Sequence, residues 1–145
     1  MKNLVILSGG FDPVHYGHIF MFQEAIRYGD IAICLNSDEW LIRKKGKPFM
    51  EWRERAWIVG NMKGVIDVFS MDDTDGTACD GIKTVHTRYN DEYDTIYFAN
   101  GGDRNTNTTP TQEQLICDEL GIKTLWNVGG GKVQSSSWIL GKWEK

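Results

Sequence analysis

Basic charge is in short supply in this chain. Sixteen Lys and Arg stand against 20 Asp and Glu, a formal net charge of −4. A broad nucleic-acid surface needs a positive field, so that class is set aside, while a local anion site is not. Cysteine is scarce as well. Cys34, Cys79 and Cys117 are odd in number, widely spaced and without a C-x-x-C pair. They read as free thiols, most simply buried, in the reducing cytoplasm. No apolar run approaches ~18 residues, so no membrane span is expected. The opening Met1-Lys2-Asn3-Leu4-Val5-Ile6-Leu7 runs straight into glycines with no small-residue cleavage site, and reads as a first strand rather than a signal peptide. Repeats and low-complexity segments are absent.

What is present is an ordinary globular composition, 41% hydrophobic and 25% charged over 145 residues. That length suggests one domain, 1–145, able to bury a core without disulfides. Apolar runs at 3–8, 31–36, 65–71, 94–100 and 123–128 read as strands. Between them Ile19, Phe22 and Ile26, and then Trp52, Ala56 and Val59, fall at helical spacing. The stretch 77–90 gives a weaker helical signal, and Pro110-Thr111 opens a helix over Thr111–Leu120. Continuous apolar strands alternating with helices predict an α/β domain. Its doubly wound, Rossmann-like, five-stranded parallel sheet carries helices on both faces. Ligands in such sheets bind beyond the carboxyl ends of the strands, which points to loops 9–18, 36–49, 72–77, 100–109 and 129–137.

The first of these loops is the most informative. Ser8-Gly9-Gly10-Phe11-Asp12-Pro13-Val14-His15-Tyr16-Gly17-His18 follows the first strand directly. Two glycines allow a tight turn and close approach of a ligand. Gly17 then opens a helix whose free N–H groups favour phosphate. His15 and His18, three apart, share one side of that helix start. Two histidines at this spacing alone would serve equally as metal ligands or as plain surface. The longer pattern G-G-F-D-P-x-H-x-G-H is position-specific.

That pattern resembles the signature of the HxGH nucleotidyltransferase superfamily, the cytidylyltransferase-like enzymes. The resemblance continues through Asn36-Ser37-Asp38-Glu39, Lys44-Lys45-Gly46-Lys47-Pro48, Arg53-Glu54-Arg55, Gly101-Gly102-Asp103 and Ser135-Ser136-Ser137. It implies that His15 and His18 contact a phosphate chain, with His18 nearest the reacting phosphoryl. It assigns Lys47 as the lysine of the loop, with Lys44 and Lys45 as neighbours in register, and carries Arg55 to the β/γ-phosphates. Gly9, Gly10, Phe11, Asp12 and Gly17 would form the nucleotide loop. Gly102 and Asp103 would meet ribose or base, and Ser135, Ser136 and Ser137 would hold the triphosphate at a last helix. An arginine that short members often carry before the serines is missing here, and Lys132 stands as a point charge in its place. Gly129 to Gly131 before it are expected to form a mobile lid, or else a rigid turn.

Nucleotidyl transfer needs no covalent nucleophile. It needs two anions positioned and the transition-state charge stabilised. The expected activity is transfer of CMP from CTP, with Mg²⁺, to a small phosphorylated acceptor such as glycerol 3-phosphate, with release of pyrophosphate. The alternatives are an adenylyltransferase using ATP and a non-catalytic nucleotide-binding module. The resemblance further implies a cytoplasmic homodimer. Of the six tryptophans, Trp40, Trp52 and Trp57 near the lysine loop read as core or as a subunit interface.

Overall fold

Alternation along the first strand, β1 (Asn3–Gly9), sets the architecture: all four of Leu4, Val5, Ile6 and Leu7 are fully buried. A strand buried on both faces needs cover on both. Leu4 and Ile6 join a core with Ile82, Val85, Ile116 and Cys117. Val5 and Leu7 join a second core with Phe22, Ala25 and Val59. A computed structural model describes residues 2–100, 110–126, 128–129 and 136–143.

After β1 come α1 (Tyr16–Ala25), β2 (Asp30–Leu35), α2 (Asp38–Lys45), α3 (Trp52–Gly60) and β3 (Val65–Phe69). Then follow α4 (Cys79–Tyr89), β4 (Thr95–Ala99), α5 (Thr111–Leu120), β5 (Lys123–Leu125) and α6 (Ser136–Trp143). The five strands form one all-parallel sheet in the order β3-β2-β1-β4-β5. Helices α1 and α3 cover one face, and α4 and α5 the other. The doubly wound sheet expected from the sequence is therefore present, its strands ending within a few residues of the expected bounds. The chain reverses its direction of winding between β1 and β4, and their exits diverge to leave a crevice there.

One element departs from expectation. The segment 36–49 reads as a loop in the sequence, yet α2 lies inside it. Its local signals are complete. Ser37 caps it by accepting the Trp40 N–H at 3.0 Å. Asp38 and Glu39 sit in the first turn and Arg43, Lys44 and Lys45 in the last, matching the helix dipole. Gly46 ends it at φ +94°, its N–H donating to the Ile42 carbonyl at 2.9 Å. Eight residues with one buried apolar side chain, Leu41, give no stripe to read.

The opposite edge of the sheet is tied by tyrosines. Tyr93 Oη donates to Asp30 at 2.8 Å, and Tyr89 Oη to Asp67 at 2.7 Å. Cys34 and Cys117 are buried and Cys79 is half-buried, all three as free thiols. Burial, then the carboxylates of Asp80 and Glu113, push the Cys34 thiol up to about 12. Cys117 rises likewise to about 12, through burial first and Glu113 second. Among the described residues no helix is long and apolar enough to cross a membrane.

Candidate active site

The histidine loop is held rigidly from beneath. Phe11 is buried with φ +49°, a left-handed conformation that turns the chain back under α1. Its ring packs on His18 at 4.7 Å and on Phe22 at 5.7 Å between centroids. A Cβ at Gly9 would come within 3.2 Å of the Phe11 ring, and one at Gly10 within 3.1 Å of Leu41. A side chain at either glycine would press on these neighbours. Asp12 is buried and accepts the N–H groups of Phe49 at 2.6 Å and Met50 at 2.7 Å. Lys45 completes its shell with an ion pair at 2.9 Å and donates to its carbonyl at 2.6 Å. Phe11, Asp12 and Lys45 thus shape the loop.

His15 and His18 are brought together as the spacing implied, their rings stacked at 3.8 Å and 21° at the start of α1. Gly17 lies in the first turn between them. The His15 backbone N–H donates to His18 Nδ1 at 3.2 Å. An accepting Nδ1 puts the proton of the neutral ring on Nε2. Burial first, and the neighbouring charge of His15 second, lower the His18 pKa to about 3. At neutral pH His18 is therefore an uncharged ring with one N–H to offer.

Arg55 occupies a different place from the one the resemblance implied. It is fully buried. Nε donates to the Met50 carbonyl at 2.9 Å, and Nη1 to the carbonyls of Gly10 at 2.8 Å and Asn36 at 2.9 Å. Nη2 pairs with Asp38 at 2.6 Å. The guanidinium is spent on the loops after β1 and β2 and on the start of α2. Asp73 provides a parallel tie. It accepts Asn36 Nδ2 at 3.0 Å, the Ser37 N–H at 2.8 Å and Ser37 Oγ at 2.7 Å.

Beside this frame, in the crevice between β1 and β4, lies a cavity of about 250 Å³. Gly9 and Gly10 of the histidine loop form one wall and Ala99 and Asn100 at the end of β4 another. Trp40 and Lys44 reach it from α2, and Lys44 Nζ lies 4.7 Å from the centre of the Trp40 ring. Gly76 to Ala78, Glu113 and Met21 also line it, as do Ser8 and Asn36 at the strand ends. Of the three lysines weighed in the sequence, Lys45 is taken by Asp12, Lys44 lines the cavity, and Lys47 is exposed beyond the end of α2. Lys44 and Lys47 are both exposed, and of the two only Lys44 borders this cavity.

Gly102, Asp103, Lys132 and Ser135 lie outside the described residues, as does the stretch 104–109. Ser136 and Ser137 begin α6, as the reading of a last helix required. Gly129 is a fixed turn: its φ is +85°, its N–H donates to Glu24 at 3.0 Å, and a Cβ there would meet the Met21 backbone at 2.9 Å. Gly129 thus closely approaches α1, and Gly130 and Gly131 lie outside the described residues. Trp52 is half-buried against the second core, whereas Trp57 is 77% exposed.

Sequence reasoning missed Asp73 and Glu113. Glu113 left a signal, since Glu113, Ile116, Cys117 and Leu120 form the buried stripe of α5. A carboxylate on an apolar stripe stands where burial demands partners.

A family model described as cytidylyltransferase-like matches residues 6–126. The bifunctional protein HldE of Desulfatibacillum aliphaticivorans is 32% identical over 79 residues, 51% of this chain and 16% of that protein. The ethanolamine-phosphate cytidylyltransferase of Arabidopsis thaliana is 34% identical over 100 residues, 68% of this chain and 23% of that protein. The chain therefore spans less than a quarter of either relative. A lipopolysaccharide core biosynthesis protein from Thermoplasma volcanium shares the fold, with a TM-score of 0.60 at 17% identity over 87% of this chain and 94% of that one. With the model spanning most of its length and the stacked histidines at the start of α1, the chain belongs to the cytidylyltransferase-like family.

Proposed function

We propose that the chain is a nucleotidyltransferase that moves CMP from CTP to a small phosphorylated acceptor and releases pyrophosphate. The observation that carries this reading is His18: a neutral imidazole, its Nδ1 occupied by backbone, at the start of a helix beside the crevice of a parallel sheet. The acceptor phosphate oxygen attacks the α-phosphorus, and the bond from that phosphorus to the bridging oxygen of pyrophosphate breaks. His18 donates Nε2–H to the phosphoryl oxygens as charge builds on them, and the N–H groups of the first turn of α1 add their positive end. A preorganised uncharged donor needs no proton transfer to do this. Gly9 and Gly10 let the phosphates approach the backbone, and Arg55 and Asp12 hold that backbone in place.

Mg²⁺ enters with the nucleotide as part of the substrate. It is commonly held by phosphate oxygens with one or two carboxylates, and among the described residues no cluster of three ligating side chains gathers to form a separate cage. CTP is favoured by the cytidylyltransferase relative, whose match extends over 68% of this chain. The reading includes two copies per molecule, supported by the exposed apolar side chains of Ile42, Phe49 and Trp57, and a reducing cytoplasmic setting that suits the free thiols. The test is pyrophosphate release from CTP and from ATP, each with Mg²⁺ and a panel of phosphorylated acceptors, beside thermal shifts with each nucleotide. Release with CTP supports the reading and release with ATP alone moves it to adenylyl transfer. Binding without release on any acceptor makes the chain a nucleotide-binding module.

A further inference from the structure

Helix α2 is held at its start by a carboxylate from a distant loop. Asp73, on the loop after β3, is buried. Its Oδ2 accepts Asn36 Nδ2 at 3.0 Å and the Ser37 N–H at 2.8 Å, and its Oδ1 accepts Ser37 Oγ at 2.7 Å. Ser37 is itself the cap of α2. The Asp73 carbonyl accepts Arg43 Nη2 at 2.9 Å, from the last turn of that helix, and the Gly76 N–H at 3.0 Å. Burial pushes the Asp73 carboxyl up, but the bonds from Ser37 and Asn36 outweigh it and hold the group below its ordinary range. It is therefore ionised at neutral pH and can only accept.

Helix α2 buries a single apolar side chain, Leu41, so polar ties must locate it. Arg55 ties its start to the loops after β1 and β2, and Lys45 ties its end to Asp12. Asp73 ties it to the loop after β3. Trp40 and Lys44, at i and i+4, share the side of α2 that lines the cavity between β1 and β4. Gly76 to Ala78, on another part of the wall, follow Asp73 in the chain. Asp73 thus joins two walls of one cavity. Its side chain holds α2, and its carbonyl closes the turn that leads to Gly76.

We infer that Asp73 is a positioning residue for nucleotide binding: it fixes Trp40 and Lys44 relative to Gly76 to Ala78, and so sets the width of the site that the nucleotide enters. This rests on the nucleotidyltransferase reading. Asp73 does not itself line the cavity, so it acts through α2. The histidine loop is held separately, by Arg55 and Asp12. Loss of Asp73 should therefore weaken capture of the nucleotide more than the chemical step.

The test uses the whole chain with Mg²⁺, and CTP and ATP as probes. In Asp73→Ala, KM for the nucleotide that wild type uses should rise about ten-fold while kcat stays within about three-fold. Calorimetry should show the same loss of affinity. Asp73→Asn keeps an oxygen for the Ser37 N–H but sets one amide against another at Asn36, and should lose affinity by a smaller factor. Tyr93→Phe controls for stability alone. It removes the bond to Asp30 at the start of β2, and should lower the melting temperature with affinity unchanged. Because Asp73 acts through α2, its effect should not add to that of Lys44→Ala: in that background Asp73→Ala should cost no more than about three-fold.

An unchanged affinity in Asp73→Ala, a fall in kcat alone, an equal loss in Tyr93→Phe, or full additivity with Lys44→Ala overturns the proposal. Should Asp73→Ala not fold, Asp73→Asn decides, with wild-type affinity counting against it. Pyrophosphate release is read in parallel. Weaker binding in the variants, without release by wild type, would leave the positioning by Asp73 standing and remove the transferase reading. Release by wild type with an affinity indifferent to Asp73 would do the opposite. A wild type that binds neither nucleotide would remove both.

Discussion

Two buried charged side chains on two helices met different fates. Arg55 on α3 is surrounded by four protein acceptors and has no exposed surface. Glu113 on α5 is almost as buried, yet it borders a cavity. Both occupy the apolar stripe of their helix: Arg55 goes with Trp52, Ala56 and Val59, and Glu113 with Ile116, Cys117 and Leu120. The difference lies in what each helix packs beneath. Helix α3 lies under the carbonyl-rich exits of β1 and β2, so its cation is consumed in holding loops. Helix α5 lies beside the point where β1 and β4 part, and its anion holds the Ala78 N–H at the turn into α4, at the margin of a cavity. One charge builds the loops after β1 and β2 and the other holds the turn into α4.

The strongest way to break this comparison is to remove the builder. Arg55→Met should cost about 3–5 kcal/mol of stability, because it leaves Asp38 and three carbonyls without their donor. At this chain length that is on the order of 10 °C in melting temperature or more. Thermal denaturation reads it directly, and a shift of a degree or two would mean that the frame does not depend on Arg55.

Removing a residue that faces substrate should do the reverse. His18→Ala should lose about 10²–10³ in kcat while the far-ultraviolet circular dichroism stays native. Turnover near that of wild type would detach the chemistry from the start of α1.

The lysines sharpen the comparison at lower cost. Lys44→Ala should reduce kcat/KM about ten-fold, since it takes a cation from the cavity wall, whereas Lys47→Ala should stay within about two-fold. The opposite ranking would restore the register that the sequence pattern implied.

A further test of what burial does to a charge is pH. The folded His18 value, about 3, lies below its ordinary 6.5, because burial disfavours the charged ring. Between those values the unfolded chain binds a proton that the folded chain does not. The contribution is complete above about pH 6.5 and is lost as pH falls toward 3, at no more than about 1.4 kcal/mol per pH unit. Urea titrations at pH 7 and pH 4.5 should show wild type losing more stability than His18→Gln. Equal losses would count against a buried neutral imidazole.

Much of this was legible in the sequence, for reasons particular to each element. Strands β1 and β2 are buried on both faces, so their apolar runs are unbroken and cannot be mistaken. The histidine loop was legible because its residues are close in the chain and their chemistry is local. Arg55 was legible as a position and not as a role. Its acceptors come from Gly10, Asn36, Asp38 and Met50, and no local pattern announces that four distant groups converge. Helix α2 was hidden because its charges complement a dipole and form no apolar stripe, so lysines placed by helical geometry looked like a flexible basic loop. Glu113 was hidden because its helix was recognised from the Pro110-Thr111 opening and not from its buried stripe.

The burial of Cys34 and Cys117 has a practical consequence. Both are enclosed with thiols near 12, so only Cys79 of the three presents surface to a reagent. It directly follows Ala78, which lines the cavity and bonds Glu113. A single fluorophore can therefore be attached to the natural chain without engineering a cysteine-free background. It would sit one residue from the cavity wall, as an optical gauge of occupancy.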